Sequence, residues 1–452
     1  MKLSKNAKNA FMLGTLCSVA YFAVYIARNI LGAVTPQMLS QGFSEEYIGS
    51  ISSLYFVFYA FGQLINGAIG DKIKARWMIS IGLFGAGITN IIFSFIASVT
   101  PTLAMIAYAV TGFFLSMIYG PMTKVVSENT EHIHAVRCSV GYTFASFFGS
   151  PAAGLLASLL AWQSVFAVSS AALFCMAIVC FSIFLVFEKR GIVKYGQVKT
   201  EKKGVQNVKV LFKHHIVKFS LVAILTGVVR TSVVFWLTTY LAQHLNFSDK
   251  ESAGIYTAST LVISLTALIA VFIYERLGRN VNLALLLMFS SAVIFFVLTY
   301  FVTNPVLNII FIVLAIMSSN SASSMLWSVY CPSLKSTGIV SSATGFLDFL
   351  SYMAAAAANL IFANAATSIG WGNLILVWAG IMRLTTEWGP APTTSTTRWR
   401  TSETQRQNTT ACSLWTTAAK SIAATLRRDS ASSVRLWQRT VQTLSSASIH
   451  IA

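Results

Sequence analysis

Long apolar runs separated by short polar loops fill most of this 452-residue chain. A helix that crosses a membrane needs about 20 predominantly apolar residues. Six such runs precede a charged stretch, and five more follow it. They occupy residues 10–34, 47–69, 77–97, 101–122, 136–160, 162–187, 219–243, 252–274, 280–301, 305–330 and 338–362. The pattern predicts an all-α polytopic membrane protein with six spans, a basic loop and five or six further spans.

The composition agrees with a lipid environment. Hydrophobic residues make up 55% of the chain and charged residues only 10%, whereas soluble proteins carry about 25% charged residues. A net charge of +18 would suggest nucleic acid in a soluble protein, but here the basic residues gather in loops on one side of the predicted membrane. The six cysteines lack the spacing of a metal site or a disulfide framework. We therefore expect no nucleic-acid partner, no metal and no cofactor.

The loop charges predict an orientation. The loops after spans one, three, five, nine and eleven contain no Lys or Arg, and the loop after span seven contains only Lys250. The N-terminus and the even-numbered loops carry the remaining basic loop residues. Because short cytoplasmic loops are enriched in Lys and Arg, the sequence predicts a multi-pass plasma-membrane protein of bacterial type with a cytoplasmic N-terminus.

These features divide the chain into four parts. We expect an N-terminal six-helix bundle at residues 1–187, a basic cytoplasmic central loop at 188–216, a C-terminal bundle at 217–382 and a tail at 383–452. The twelfth span begins near Trp371 and loses its apolar character at Arg383, so the last helix is predicted to be truncated or aberrant. Two explanations of the basic Ser/Thr-rich, aberrant or disordered tail stay open: translation from a different reading frame, or a natural tail that binds anionic lipid.

A charged turn occurs at equivalent places in the two halves. The turn after span two contains Gly67, Asp71, Lys72 and Arg76, an acid followed by bases, and the turn after span eight repeats this order from Glu275. Such a repeat suggests a duplicated bundle. A carboxylate at Asp71 is stabilised if it lies against a helix N-terminus. The motif is predicted to be a conformational latch between the halves; the alternative is a solvated turn that only satisfies topology.

Three charged residues lie deep within the predicted spans, well away from their ends, namely Arg28, Arg230 and Asp348. A charge at the membrane centre costs at least ~2.5 kcal/mol, so it normally faces a cavity or a partner. The two arginines occupy the first helix of each half, and in a two-bundle transporter these helices face each other across the central cavity. A guanidinium presents a planar fork of donors that matches phosphate oxygens. The pair predicts an anion site; the alternative is structural pairing, in which Asp348 neutralises one arginine.

Polar aromatic side chains accompany these charges. Two tyrosines share a helix face with the first arginine, a tyrosine and a glutamine share a face of span two, and another tyrosine lies one turn from the intramembrane acid. A tyrosine can donate a hydrogen bond to a phosphate oxygen while its ring packs in an apolar wall. As a set these residues are predicted to line the substrate cavity, and each alone also fits a packing role. They are Tyr21, Tyr25, Tyr59, Gln63 and Tyr352.

Residues 21–29, 41–44 and 67–76, with residues 229–241 and 345–352, resemble the organophosphate:phosphate antiporter family of the major facilitator superfamily. That family includes the glycerol-3-phosphate and hexose-phosphate transporters. The similarity covers about residues 8–381. It implies a major facilitator fold of two six-helix bundles, with Arg28 and Arg230 as the phosphate-binding pair and Tyr21, Tyr25, Tyr59 and Tyr352 lining the cavity.

The chain departs from the family pattern at three positions. Gln63 stands where the glycerol-3-phosphate carrier has a lysine, Ala145 stands where it has a histidine, and Asp348 introduces an acid where the family has a small residue. The resemblance therefore implies that the phosphate clamp is retained while the groups that recognise the rest of the substrate differ.

The sequence thus predicts a secondary transporter and no enzyme. We expect a monomer in membrane lipid that exchanges a small organophosphate anion for inorganic phosphate by alternating access. Two alternatives stay open: a transporter-like sugar-phosphate sensor, and a facilitator of non-phosphorylated organic anions such as carboxylates.

Overall fold

The computed structural model describes residues 5–70, 73–195, 216–330 and 340–388. The first half of the chain forms seven helices. They are α1 (Lys5–Ser40), α2 (Glu45–Gly70), α3 (Ala75–Ile96), α4 (Pro101–Ser116), α5 (Tyr119–Asn129), α6 (His132–Leu159) and α7 (Trp162–Lys189).

The second half continues the helical pattern with two wider turns of π-helix. It contains α8 (Ile216–Gly227), a first π turn (Val228–Val233), α9 (Val234–Gln243), α10 (Asp249–Ile263), α11 (Thr266–Arg276), α12 (Val281–Phe301), α13 (Pro305–Met325), a second π turn (Leu326–Tyr330) and α14 (Val340–Trp388). The described residues contain no strand, which confirms the predicted all-α class.

Helix starts follow local sequence signals. The side chains of Asn280 and Asn304 accept hydrogen bonds from the first free backbone N–H groups of α12 and α13, as N-cap residues do. Ser248 and Glu251 form a reciprocal capping box at the start of α10. Pro101 begins α4, where the missing N–H has no intrahelical partner to lose.

Nine helices in the described ranges are long and apolar enough to cross a membrane. Four of the predicted spans are not counted separately among them. The fifth lies in α6, of which the described apolar part is Ala145–Leu159. The eighth is divided into α10 and α11 at Ser264 and Leu265. The eleventh and twelfth form the single element α14.

The chain reverses direction inside α14. The backbone leaves helical geometry at Gly370, where φ is 78° and ψ is 161°. Phe362 and Trp378 would be about 24 Å apart along a straight helix, yet their ring centres are 5.6 Å apart. A glycine permits this backbone region, which is closed to other residues. Gly370 therefore separates spans eleven and twelve. The twelfth helix continues to Trp388, past Arg383, where the sequence loses its apolar character.

The two halves pack internally and also against each other. In the first half α1 packs along α6, α3 along α7, and α2 along α4. In the second half α12 contacts α13 and α14, and α8 contacts α14. The halves meet mainly where α1 packs against α9 and α10, α2 against α14, and α6 against α10.

Polar contacts join the halves on one side of the membrane. We name the side where α1 ends the distal side, and the side where it begins the proximal side. On the distal side Gln243 donates a 2.7 Å hydrogen bond to Glu45 and accepts one of 2.7 Å from Trp371. Ser40 donates a 2.9 Å hydrogen bond to Asp249. These bonds link the ends of α1 and α2 to the second half.

A close backbone approach supports the crossing of α2 and α14. A Cβ atom added to Gly49 would lie 2.5 Å from the Cβ of Ala363 and 2.9 Å from the carbonyl oxygen of Asn359. One turn further, Asn359 donates a 2.7 Å hydrogen bond to Ser52. Small residues with a polar pair allow helices to pack tightly in lipid, where no hydrophobic force drives their association.

Basic residues gather on the proximal side of the described chain. Lys74, Lys124, Arg137, Lys189 and Arg276 all lie near proximal helix ends, as the loop pattern predicts. The cytoplasmic placement of this side stays a prediction. Residues 196–215 of the central loop and 389–452 of the tail lie outside the described residues.

Gly370→Ala tests the reversal in α14. Nothing lies within 4 Å of an added Cβ, so the change acts only through the backbone, which should cost about 1–3 kcal/mol of stability. Chemical unfolding of the detergent-solubilised protein would measure the loss. Gly254→Ala is the control, because it is also uncrowded but has an ordinary helical backbone; equal stability of the two variants would contradict the reversal.

Candidate functional site

Arg28 lies within α1 and is surrounded by aromatic rings. Its Nη1 donates a 2.9 Å hydrogen bond to the hydroxyl of Tyr352. A guanidinium has five N–H donors, and this is the one hydrogen bond that Arg28 donates to the described residues. Its Cζ lies 4.8–5.6 Å from the ring centres of four residues: Tyr25, Phe56, Tyr59 and Tyr352. The rings hold the charge in place and leave most of its donors for a ligand.

Arg230 lies on the first π turn, between α8 and α9. Such turns are frequent at functional sites. Its Cζ is 6.0 Å from the ring centre of Trp327, which lies on the second π turn. The buried Nη2 of Arg230 and Nε1 of Trp327 have no hydrogen-bond partner in the described part of the chain. Because buried donors are normally satisfied, these two indicate a place where an acceptor on a ligand would fit.

The two arginines, from opposite halves, converge on one side chain of α14. The ring centre of Tyr352 is 4.8 Å from the Cζ of Arg28 and 6.0 Å from the Cζ of Arg230. The two Cζ atoms are therefore at most about 11 Å apart. One tetrahedral oxyanion held by both guanidinium groups needs a separation of roughly 8 Å, given charge-assisted bonds of about 2.8 Å. A separation of this size lies within the upper bound that the Tyr352 ring sets for the two Cζ atoms.

Asp348 lies one helical turn before Tyr352 and interacts electrostatically with both arginines. It is not within the 4.0 Å salt-bridge distance of either guanidinium group. The predicted alternative, in which this acid is locked to one arginine, therefore does not describe this conformation. Two cations and one carboxylate give the site a formal charge of +1 when all three are ionised.

The remaining predicted residues lie along α1, α2 and α6. Tyr21 contacts the ring of Tyr25 at 4.9 Å, and Tyr59 contacts that of Tyr352 at 4.9 Å. Gln63 is half-buried one turn beyond Tyr59 on α2, and Ala145 is half-buried on α6. The structure thus gathers the predicted tyrosines around the arginine pair. Their role in substrate binding stays a prediction.

The predicted latch is described only in part. Gly67 lies in the last turn of α2, and Asp71 and Lys72 lie outside the described residues. Arg76 donates a 2.6 Å hydrogen bond to Glu188 at the end of α7. Arg76 therefore ties two helices of the same half together, and the proposed contact of Asp71 with a helix N-terminus stays a prediction.

Tyr195 completes this proximal ion pair. Its hydroxyl donates a 2.9 Å hydrogen bond to Glu188 and accepts one of 3.4 Å from the backbone N–H of Arg76. Partial burial, together with the hydrogen bond to Glu188, raises the pKa of Tyr195, so the phenol remains a donor at neutral pH. The carboxylate of Glu188 thus receives two hydrogen bonds.

Four aromatic residues near the site were not predicted from the sequence. Phe56 contacts Arg28, and Trp327 contacts Arg230. Tyr119 and Tyr142 extend the aromatic cluster from Tyr21, with ring centres 5.5 and 6.2 Å away. These four residues reach the site through tertiary packing, which the spacing of residues along the chain does not reveal.

The fold and the site define a class of protein. Apolar helices in two halves enclose a cationic site built from both halves, which is the architecture of an α-helical secondary transporter. The chain belongs to the Major Facilitator Superfamily, whose family model matches residues 17–359. This family consists of transporters and not of enzymes, which confirms the predicted class.

Relatives confirm the resemblance to organophosphate carriers. The chain is 23% identical over 400 residues to the glycerol-3-phosphate transporter of Bacillus subtilis, covering 81% of this chain and 88% of that protein. It is 32% identical over 81 residues to the membrane sensor protein UhpC of Escherichia coli, which is 18% of each chain. A solved bacterial homologue of the human lysosomal transporter Spinster shares the fold, with a TM-score of 0.67 at 11% identity over 86% of this chain and all of that one.

Two substitutions of Tyr352 distinguish the contribution of its ring to stability from that of its hydroxyl. Tyr352→Phe removes only the acceptor for Arg28, whereas Tyr352→Ala also removes the ring that both guanidinium groups contact. Because each contribution is about 1–3 kcal/mol, we expect the thermal midpoint of the purified protein to fall slightly for the first and further for the second. Tyr300→Phe, at an exposed ring, should be neutral. Equal losses in the two Tyr352 variants would show that the ring contributes nothing.

Glu188→Gln tests the proximal ion pair. The side chains of Arg76 and Glu188 are only 11% and 19% exposed, so an unpaired guanidinium there should lower stability by roughly 1–3 kcal/mol. Chemical unfolding in detergent measures the change, with Glu46→Gln at an exposed acid as the matched control. A stability indistinguishable from this control would mean that the pair does not stabilise the first half.

Proposed function

We propose that this transporter exchanges a small phosphorylated organic anion for inorganic phosphate by alternating access. One observation carries the proposal: Arg28 and Arg230, from opposite halves, approach the same ring of Tyr352 within 4.8 and 6.0 Å. An anion bound there would be held by both halves at once.

The chemistry of the free donors favours a phosphate. A guanidinium fork pairs with two oxygens of a phosphate and stays charged at any physiological pH. Arg230 Nη2 and Trp327 Nε1 are buried donors without a partner among the described residues, so they require an acceptor. Several oxygens around one centre can receive them together, which a phosphate supplies.

The names of the relatives support the same substrate class. The match to the glycerol-3-phosphate transporter extends along most of both chains. Shorter matches link the chain to a membrane sensor protein and to chlamydial proteins described as probable hexose phosphate transport proteins. The common element of the two named substrates, glycerol-3-phosphate and hexose phosphate, is a phosphate monoester.

Exchange follows from the charges of the site. Without an anion, closing the cavity brings two guanidinium groups into a space of low dielectric, where like charges repel and lose their hydration. A bridging phosphate supplies the compensating charge. The loaded carrier should therefore reorient more readily than the empty one, which favours exchange over leak.

Two departures from the family define the remaining specificity. Gln63 and Asp348 lie next to Tyr59 and Tyr352 along their helices. An amide and a carboxylate can both accept hydrogen bonds from hydroxyl groups. We infer that these side chains face the organic part of the substrate and favour one that carries hydroxyls.

A membrane sensor of sugar phosphate is the second candidate. The 81-residue match to UhpC is more identical than the longer match to the glycerol-3-phosphate transporter. A sensor would bind phosphate ester at the same arginine pair without significant flux. Binding without counterflow would identify this case.

The proposed orientation places the proximal side in the cytoplasm. The basic residues at the proximal helix ends support it, since cytoplasmic loops are enriched in Lys and Arg. Substrate would then be exchanged between the cytoplasm and the distal side of the plasma membrane, by a carrier that acts as a monomer.

Arg28→Lys and Arg230→Lys test the phosphate clamp. Lysine keeps the charge but loses the bidentate fork, which should reduce exchange roughly 10- to 100-fold. Counterflow of labelled phosphate into proteoliposomes preloaded with phosphate measures the rate, first alone and then against a panel of phosphate esters.

Arg190→Lys is the matched control, because that arginine is exposed at the end of α7. Exchange close to wild type in either clamp variant would contradict the proposal. Uptake of carboxylates that inorganic phosphate does not inhibit would favour a facilitator of non-phosphorylated anions instead.

A further inference from the structure

A groove of about 370 Å³ lies between the proximal parts of α1 and α6. The two helices approach closely along its floor. A Cβ atom at Gly14 would be 2.6 Å from the sulfur of Cys138, and one at Gly141 would be 2.8 Å from the hydroxyl of Ser18. Arg137 lies on the α6 wall, so the groove combines a narrow floor of small residues with a cationic side chain.

The α1 residues that line the groove lie on the same helix face as Arg28. Residues 7 and 14 of α1 line it, and Tyr21 and Arg28 follow at the same spacing of seven. Residues 11 and 18 also line it, and Tyr25 continues that second row. Side chains three, four and seven residues apart share one face of a helix. The groove and Arg28 therefore lie on the same face of α1.

Aromatic contacts connect the groove to the site. Ser18 and Gly141 lie at its inner end, and Tyr21 is one turn further along α1. Tyr21 contacts Tyr142 of α6 and Tyr25 of α1, with ring centres 6.2 and 4.9 Å apart. Tyr25 in turn contacts Arg28. Packed rings that carry hydroxyl groups thus lie between the groove and the half-buried Arg28.

The charge of the groove is positive. Arg137 is exposed and forms no salt bridge with a described acidic side chain. The acid nearby on α6 is Glu131, which accepts a 3.0 Å hydrogen bond from Asn6 and lies 3.9 Å from His134. Glu131 is thus held by other groups, and the guanidinium of Arg137 is left for an anion.

We propose that this proximal groove is a second anion site, of lower affinity, which binds inorganic phosphate or a phosphate monoester through Arg137 before transfer to Arg28 and Arg230. The identity of the anion rests on the proposed function. The existence of the site rests on the groove itself, so the two can be tested separately.

Alkylation of a cysteine in the groove provides the test. Thr15 lines the groove and is exposed, so Thr15→Cys is introduced into the full chain with the six native cysteines replaced by alanine. The rate of its reaction with a maleimide is measured on purified protein with and without inorganic phosphate. We expect phosphate to slow the reaction about threefold or more, and less at high ionic strength.

Three substitutions in this background distinguish the sites. Arg137→Gln should remove the protection. Arg28→Lys should reduce counterflow roughly 10- to 100-fold but keep the protection, because the groove does not need the central clamp. Arg190→Gln, at an exposed arginine outside the groove, should keep both.

The remaining outcomes overturn the proposal. If phosphate does not slow alkylation of the Thr15→Cys protein, or still slows it after Arg137→Gln, Arg137 does not hold phosphate. Protection that disappears in Arg28→Lys would report the central site alone. If nanodiscs with anionic lipid protect the cysteine without added phosphate while neutral ones do not, the groove binds a lipid headgroup instead. None of these results depends on whether the carrier exchanges organophosphate.

Transport kinetics give a second readout. Arg137→Gln should raise the KM for phosphate in counterflow about threefold at low salt while the maximal rate stays the same, since an exposed charge raises the local anion concentration. The difference should shrink as salt screens the charge. A lower maximal rate with an unchanged KM would indicate a structural role and contradict the proposal.

Discussion

Two permanent cations held close together inside the membrane are the constraint on which this structure depends. The Cζ atoms of Arg28 and Arg230 are at most about 11 Å apart. At this distance two unit charges repel by roughly 1.5–2 kcal/mol at an effective dielectric of 20. Aromatic faces and the hydroxyl of Tyr352 stabilise the guanidinium groups without neutralising them. Their separation changes whenever the halves move, so the electrostatic energy of the site is coupled directly to the conformation of the carrier.

The contacts between the halves are of a kind that can separate. On the distal side they consist of single hydrogen bonds, such as those of Gln243 with Glu45 and of Asn359 with Ser52, and of close contacts at small residues such as Gly49. A typical hydrogen bond contributes only about 0.5–1.5 kcal/mol net. By contrast, Arg76 and Glu188 join helices inside one half by a charged pair. A charged pair inside one half and neutral hydrogen bonds between the halves suit rigid-body movement around a central site.

The sequence allowed prediction of which charged residues lie within the spans, because lipid makes intramembrane charges rare. Arg28 and Arg230 were predictable for this reason, and so was their origin in opposite halves. Trp327 was not, since its position depends on a π turn that leaves no sequence signal. The break at Gly370 agrees with the sequence, in which the eleventh span was predicted to end at residue 362 and the twelfth to begin near Trp371. The sequence predicted that Arg76 belongs to a latch between the halves. In the structure its ion-pair partner is Glu188 of the same half. The sequence could not show this pairing, because the two residues meet only in the folded chain.

In the proposed exchange, Asp348 would reduce the formal charge of the site from +2 to +1 when it is ionised. A phosphate monoester carries nearly two negative charges at neutral pH, so at this site it would leave a slight negative excess and place its oxygens near the carboxylate. Hydroxyl groups on the organic part of the substrate would offset this repulsion by donating hydrogen bonds to the carboxylate. The role we infer for Asp348 is therefore to weaken the attraction for inorganic phosphate and to favour a hydroxylated ester, which would make a carrier with a shared phosphate clamp selective between its two substrates.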